Sequence, residues 1–113
     1  MITIEYTRDK HRITVRGHAN SGEAGHDLVC AAVSSLVYTI AAFVQNMSSS
    51  GQLKARSIKL KSGDARVSCS PMVKYRAGTV IVFDAICGGF ELLARQYPNY
   101  IRYEMVGVDT IKG

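Results

Sequence analysis

Cysteine is scarce in this chain. There are three, Cys30, Cys69 and Cys87, with no paired spacing. An odd count without pairs argues against a disulfide framework and predicts reduced thiols in a cytoplasmic protein. Two prolines and 10 glycines among 113 residues exclude collagen-like and low-complexity classes. The opening Met1-Ile-Thr-Ile-Glu-Tyr6 lacks a basic region followed by an apolar one, so no secretory leader is expected. There is no G-x-x-x-x-G-K-[ST] element, which excludes a P-loop. No repeat or linker interrupts the pattern, and residues 1–113 read as one domain.

Charge is missing where it is most informative. From Leu28 to Leu53 no side chain is charged, while Lys54 to Arg76 holds seven basic residues and one acid, Asp64. The chain as a whole carries a formal net charge of +5. A membrane span needs about 20 mostly apolar residues. Here Ser34, Ser35, Thr39, Gln45 and Asn46 recur through the uncharged stretch, so no membrane span is expected. The better reading is a helix buried on more than one side, against a sheet and a second subunit. A chain of this size buries only a thin core, which oligomerisation would supplement.

What is present is regular alternation. Ile2, Ile4 and Tyr6 alternate with polar residues, as do Ile13 and Val15, predicting strands over 2–7 and 12–17. Gly17 to His26 reads as a loop, and Asp27 as the cap of a helix over 28–47. A second hairpin is expected over 55–61 and 65–70, with Ile58, Leu60, Val67 and Cys69 facing inward. Residues 76–97 mix a strand-like Thr79-Val-Ile-Val-Phe83 with helical spacing of Val80, Phe83, Cys87, Phe90, Ala94 and Tyr97. The longer periodicity favours a helix, bent or tightly packed at Gly88-Gly89. A last strand follows Pro98-Asn99. The order ββαββαβ predicts an α+β two-layer sandwich, a mixed sheet with both helices on one face.

Chemistry concentrates in Gly17-His-Ala-Asn-Ser-Gly-Glu-Ala-Gly-His-Asp-Leu-Val-Cys30. Cys30 falls near the start of the predicted helix, where free amides and the dipole favour an anion such as a thiolate. His18 follows the second strand, and a loop punctuated by Gly22 and Gly25 would return its imidazole to the helix start. A Cys–His nucleophilic pair is one reading; a small buried cysteine and a surface histidine is the other. His26, four residues before Cys30, competes as the base. His18, His26 and Cys30 lack the paired spacing of a structural zinc site, so no metal and no cofactor are expected. Asp27 reads as a cap rather than a third catalytic group. Ser34, one turn after Cys30, reads as packing. Cys69 and Cys87 are assigned to the core, and His11 to the solvated surface of the first hairpin.

At these residues the sequence resembles the ribosomal-processing cysteine proteases, the Prp family of small bacterial proteins. The shared elements are Gly17-His18-Ala19 and Gly25-x-Asp27-x-Val29-Cys30-Ala31-Ala32-Val33-Ser34, and the likeness extends along the whole chain. It implies a cysteine endopeptidase with a dyad of His18 and Cys30, acting without a cofactor. It implies removal of a short N-terminal extension from a large-subunit ribosomal protein, the one numbered twenty-seven. It further implies a homodimer and a substrate loop, Gly17, Gly22, Gly25 and His26, that orders around the peptide. Asp27 matches a family position, and His26 a variable one. The basic hairpin departs from the acidic surfaces associated with the family. It reads either as a solvated strand face or as a ribosomal RNA contact through Lys59, Lys61 and Arg66. A non-catalytic RNA-associated module using residues 54–76 is the alternative function.

Overall fold

Alternation of apolar and polar residues places two antiparallel strands at the centre of the molecule. In the computed structural model, which describes residues 1–18 and 26–107 (with side chains omitted for residues 26 and 27), these are β1, Ile2–Thr7, and β2, Arg12–Gly17. The long helix α1, His26–Ser49, follows, then the hairpin β3, Leu53–Lys61, and β4, Asp64–Pro71. Helix α2, Arg76–Gln96, leads to β5, Ile101–Val106. The sheet order is β3-β4-β2-β1-β5, with β5 parallel to β1 and the other pairs antiparallel. The expected ββαββαβ α+β architecture is what the chain adopts.

One face of the sheet supplies Ile2, Ile4, Tyr6, Ile13, Val15 and Val67 to the core. Helix α1 meets it with Val29, Val33, Val37, Ile40 and Val44, which recur at three- and four-residue spacing. Helix α2 contributes Phe83, Cys87 and Phe90. Phe83 is the hub: its ring stacks on Tyr6 at 6.1 Å and meets Phe43 edge-on at 6.4 Å. Both helices are long and apolar enough to cross a membrane by length and composition, but their apolar stripes pack against this sheet.

The Gly88-Gly89 pair does not break α2. A Cβ at Gly89 would lie 3.0 Å from Leu36 Cδ1 on α1, so this glycine lets the two helices approach closely. A Cβ at Gly88 would meet nothing. The tight-packing expectation therefore holds for one residue of the pair.

Three expectations need correction. His11 is buried, at 8% exposure, rather than solvated. It sits in the left-handed region at φ 49°, its carbonyl accepts from the Cys69 amide at 3.1 Å, and its ring meets Phe83 edge-on. The turn into β2 folds this residue under the end of α2 instead of pointing it outward. Leu60 keeps its register opposite Ala65 on the inner face but stays exposed, because β3 is the sheet edge and Leu60 borders an open cleft beside α1. Asp27 lies within α1, His26–Ser49, and not at a cap ahead of it.

Burial, and then the charge of Arg76, hold the His11 imidazole below its ordinary value of 6.5. On Asp84 burial pushes the carboxyl up, but hydrogen bonds from Arg8 and Tyr6 outweigh it and leave the carboxyl low. A depressed value means the unfolded chain binds the proton first, so stability is present at neutral pH and declines as pH falls. For His11 the decline sets in below the unfolded value near 6.5. Urea midpoints measured from pH 7.5 to 5.5 should therefore fall in the parent. The fall should be shallower in His11→Asn, since asparagine tolerates the left-handed backbone without a titrating ring.

Candidate active site

His18 is placed by backbone. The last residue of β2, Gly17, has φ +89°, and a Cβ there would collide with the Met1 carbonyl oxygen, so only glycine fits this corner. The Gly17 amide donates to the Gly63 carbonyl at 3.0 Å, and the Met1 nitrogen donates to the His18 carbonyl at 2.7 Å. The imidazole then lies directly against Gly63 in the two-residue turn between β3 and β4. A Cβ on Gly63 would sit 2.8 Å from His18 Cε1, 3.2 Å from Cδ2 and nearer still to Nε2. That turn requires φ +75° at the same residue. Gly63 thus answers two demands, the turn and the ring.

Cys30 is placed by the helix. It is the fifth residue of α1, so its own amide can enter the helical ladder, while the amides of the turn before it have no acceptor within His26–Ser49. A helical Cβ tilts toward the N-terminus, which leans the thiol back over those donors.

His18 and Cys30 line the same cleft, an open space of about 240 Å³ between α1 and the β3–β4 turn. Its floor is apolar, with Ile2, Val15, Val33, Val37, Leu60 and Ala65. Its rim carries Ser34, Tyr38, Lys61, Ser62 and Asp64. Asp64 is gripped by Lys59 at 2.6 Å, and that hydrogen bond holds its carboxyl low.

The other thiols are unsuited to attack. Cys69 and Cys87 are buried, whereas Cys30 is partly open. Burial pushes the Cys69 thiol up to about 11, and burial with the nearby Asp84 charge pushes Cys87 up to about 12. Among the described residues no three histidine, cysteine or acidic side chains gather as a metal site would require.

The expected pair is thus brought to one cleft, with Ser34 on its wall. Gly22, Gly25 and the side chains of His26 and Asp27 lie outside the described residues. The spacing missed the part played by the second hairpin. That hairpin, assigned no part in the chemistry, delivers Ser62, Gly63 and Asp64 to the cleft. The one sequence signal for this was a glycine in a two-residue turn, which announces a turn but not its neighbour.

A family profile described as cysteine protease Prp matches residues 1–102. The chain belongs to the Prp family of cysteine proteases. The ribosomal processing cysteine protease Prp of Mycoplasma pneumoniae is 29% identical over 103 residues, 89% of this chain and 93% of that protein. In fold, the chain is similar to an essential ribosomal processing protease Prp from S. aureus, solved with a covalently linked product peptide. The TM-score is 0.70 at 21% identity, covering 93% of this chain and 99% of that one. A Streptococcus mutans structure gives a TM-score of 0.65 at 21% identity, covering 93% and 91%. Membership of a protease family displaces the non-catalytic alternative. The Prp cleft here holds a partly open sulfur and a histidine that line the same space, over an apolar floor.

Proposed function

We propose that this Prp chain removes a short N-terminal extension from the large-subunit ribosomal protein numbered twenty-seven, with Cys30 as nucleophile and His18 as base. The observation that carries the reading is the shared cleft: the one partly open thiol and the backbone-fixed imidazole face the same small apolar space. The name of the Mycoplasma pneumoniae relative, a ribosomal processing protease, supports the substrate class.

His18 takes the Cys30 proton, and the thiolate forms a bond to the scissile carbonyl carbon. The oxyanion is met by amides of the first turn of α1, those ahead of Cys30. As the C–N bond breaks, the imidazolium returns its proton to the leaving amine. Water then adds to the thioester with His18 again as base, the C–S bond breaks, and the thiol is restored. The apolar floor accepts the side chain before the cut. The mechanism requires no metal or organic cofactor.

A peptide spanning the extension junction, incubated with the protein, should yield one cut and two products by mass spectrometry. An intact peptide in the presence of folded protein sinks the reading. The reduced thiols suit a cytoplasmic site of action, where ribosomal proteins are assembled.

The protein is further proposed to act as a homodimer through the outer side of α1. A helix facing water normally shows charge there. This one shows Ala31, Ser35 and Ala42, with Leu28 at 64% and Tyr38 at 60% exposure. Sedimentation at micromolar concentration should give a dimer, and Ala42→Glu should shift it to monomer. A monomeric parent would refute the assignment.

A further inference from the structure

Both helices cover one face of the sheet, and among the described residues nothing covers the other. Register fixes what that bare face carries. Across β3, β4 and β2 one row reads Lys61, Asp64, Arg16; the next reads Lys59, Arg66, Thr14; the third reads Ser57, Ser68, Arg12. Five cations and one carboxylate therefore share three adjacent strands. With strands about 4.8 Å apart and alternate residues about 6.7 Å apart, the patch spans roughly 10 by 13 Å. Its single acid, Asp64, is already engaged by Lys59.

Two ordinary explanations cover only part of this. Lysines on an edge strand block unwanted pairing, which accounts for Lys59 and Lys61 on β3. Arg12 and Arg16 stand on β2, an interior strand bonded on both sides, where no edge needs blocking. Solvation of a strand face by mixed charge is the other. The acids that continue this row, Glu5 and Glu104, stand on β1 and β5 beyond Thr14, while on β3 and β4 Lys59 stands directly opposite Arg66. Like charges in that position oppose pairing.

We infer that this three-strand basic face, Arg12, Arg16, Lys59, Lys61 and Arg66, docks the phosphate backbone of structured RNA. The inference rests on the proposed ribosomal-protein substrate only for the kind of RNA, ribosomal, that it meets. It widens the expected contact from the second hairpin to a platform that includes β2. No aromatic side chain stands in these rows, so the face offers no stacking platform and reads phosphates rather than bases. No exposed large apolar residue stands there either, which favours RNA over a lipid surface. The platform meets the active-site cleft at the β3–β4 turn, since Lys61 and Asp64 also line that cleft.

The test is fluorescence anisotropy of a labelled RNA hairpin of about 20 nucleotides with the full chain, from 50 to 300 mM KCl. Five phosphate contacts predict binding at low salt, with a log–log salt slope of about −4. Arg12→Gln/Arg16→Gln/Arg66→Gln should weaken binding at least tenfold at 50 mM and reduce the slope by about 2 to 3. A matched variant, Lys10→Gln/Lys74→Gln/Arg95→Gln, removes the same charge from other surfaces and should bind nearly as the parent does. No binding at 50 mM KCl, or equal weakening in both variants, overturns the inference. So does tighter binding to phosphatidylserine vesicles than to RNA. Circular dichroism confirms that each variant is folded. Junction-peptide cleavage is scored separately. RNA binding without cleavage refutes the proposed function alone, and cleavage without RNA binding refutes the docking face alone.

Discussion

Cys30→Ala should leave a folded protein that no longer cuts the junction peptide, with a loss beyond about 10⁴-fold. The sulfur is the only atom in the proposed mechanism that bonds to substrate, so nothing replaces it. Alanine is the best helix former and the side chain is small, so α1 should tolerate the change. His18→Ala should lose about 10²- to 10⁴-fold, the usual contribution of a positioned base. Product formation followed by chromatography, with a thermal melt of each variant, checks both. Full activity in His18→Ala would remove the base assignment and direct attention to His26.

Gly63→Ala should also silence the enzyme, although residue 63 touches no substrate. A methyl group on this residue would occupy the space of the His18 ring and push the imidazole from its place in the cleft. A displacement of about 1 Å in a reacting group costs on the order of 10² in rate. Part of any effect could come from backbone strain, because Gly63 has φ +75°. Gly51 supplies the comparison: its φ is +71°, and a Cβ there would meet nothing within 4 Å. Both alanine variants should lose roughly 1 kcal/mol of stability from the left-handed backbone. Only Gly63→Ala should lose activity, mainly in kcat with KM little changed. Equal activity in the two variants would show that the ring has room to move.

The fold could be read from the chain because its strongest signals are periodic. The Ile2-Ile4-Tyr6 alternation marked β1, and the uncharged stretch from Leu28 marked α1. For α2 the helical period over five turns outweighed the strand-like Thr79–Phe83 run and two glycines. Long periodicity integrates over many residues, and local propensity does not. The candidate site was half legible. His18 and Cys30 stand out because their residue types and neighbours carry chemistry. Gly63 does not, because its importance lies in having no side chain where a ring from another strand must pass. His11 was misplaced for a related reason: a polar residue in a tight turn is ordinarily solvated, and only the tertiary fold puts α2 over it. Pairings of this kind, between residues 45 positions apart for His18 and Gly63, leave no local trace in sequence.

The contact of Gly89 with Leu36 has a consequence for how this protease could change its taste in substrates. It clamps α1 against α2 about a turn and a half beyond Cys30, so the proposed nucleophile rides on a helix with little room to slide. Selectivity would then be retuned by exchanging side chains on the cleft floor, at Val33, Val37 or Leu60, while the thiol stays where it is. The lineage can vary what it cuts without having to reinvent how it cuts, and a covalent inhibitor built on the fixed sulfur would need only its side group adjusted from one relative to the next.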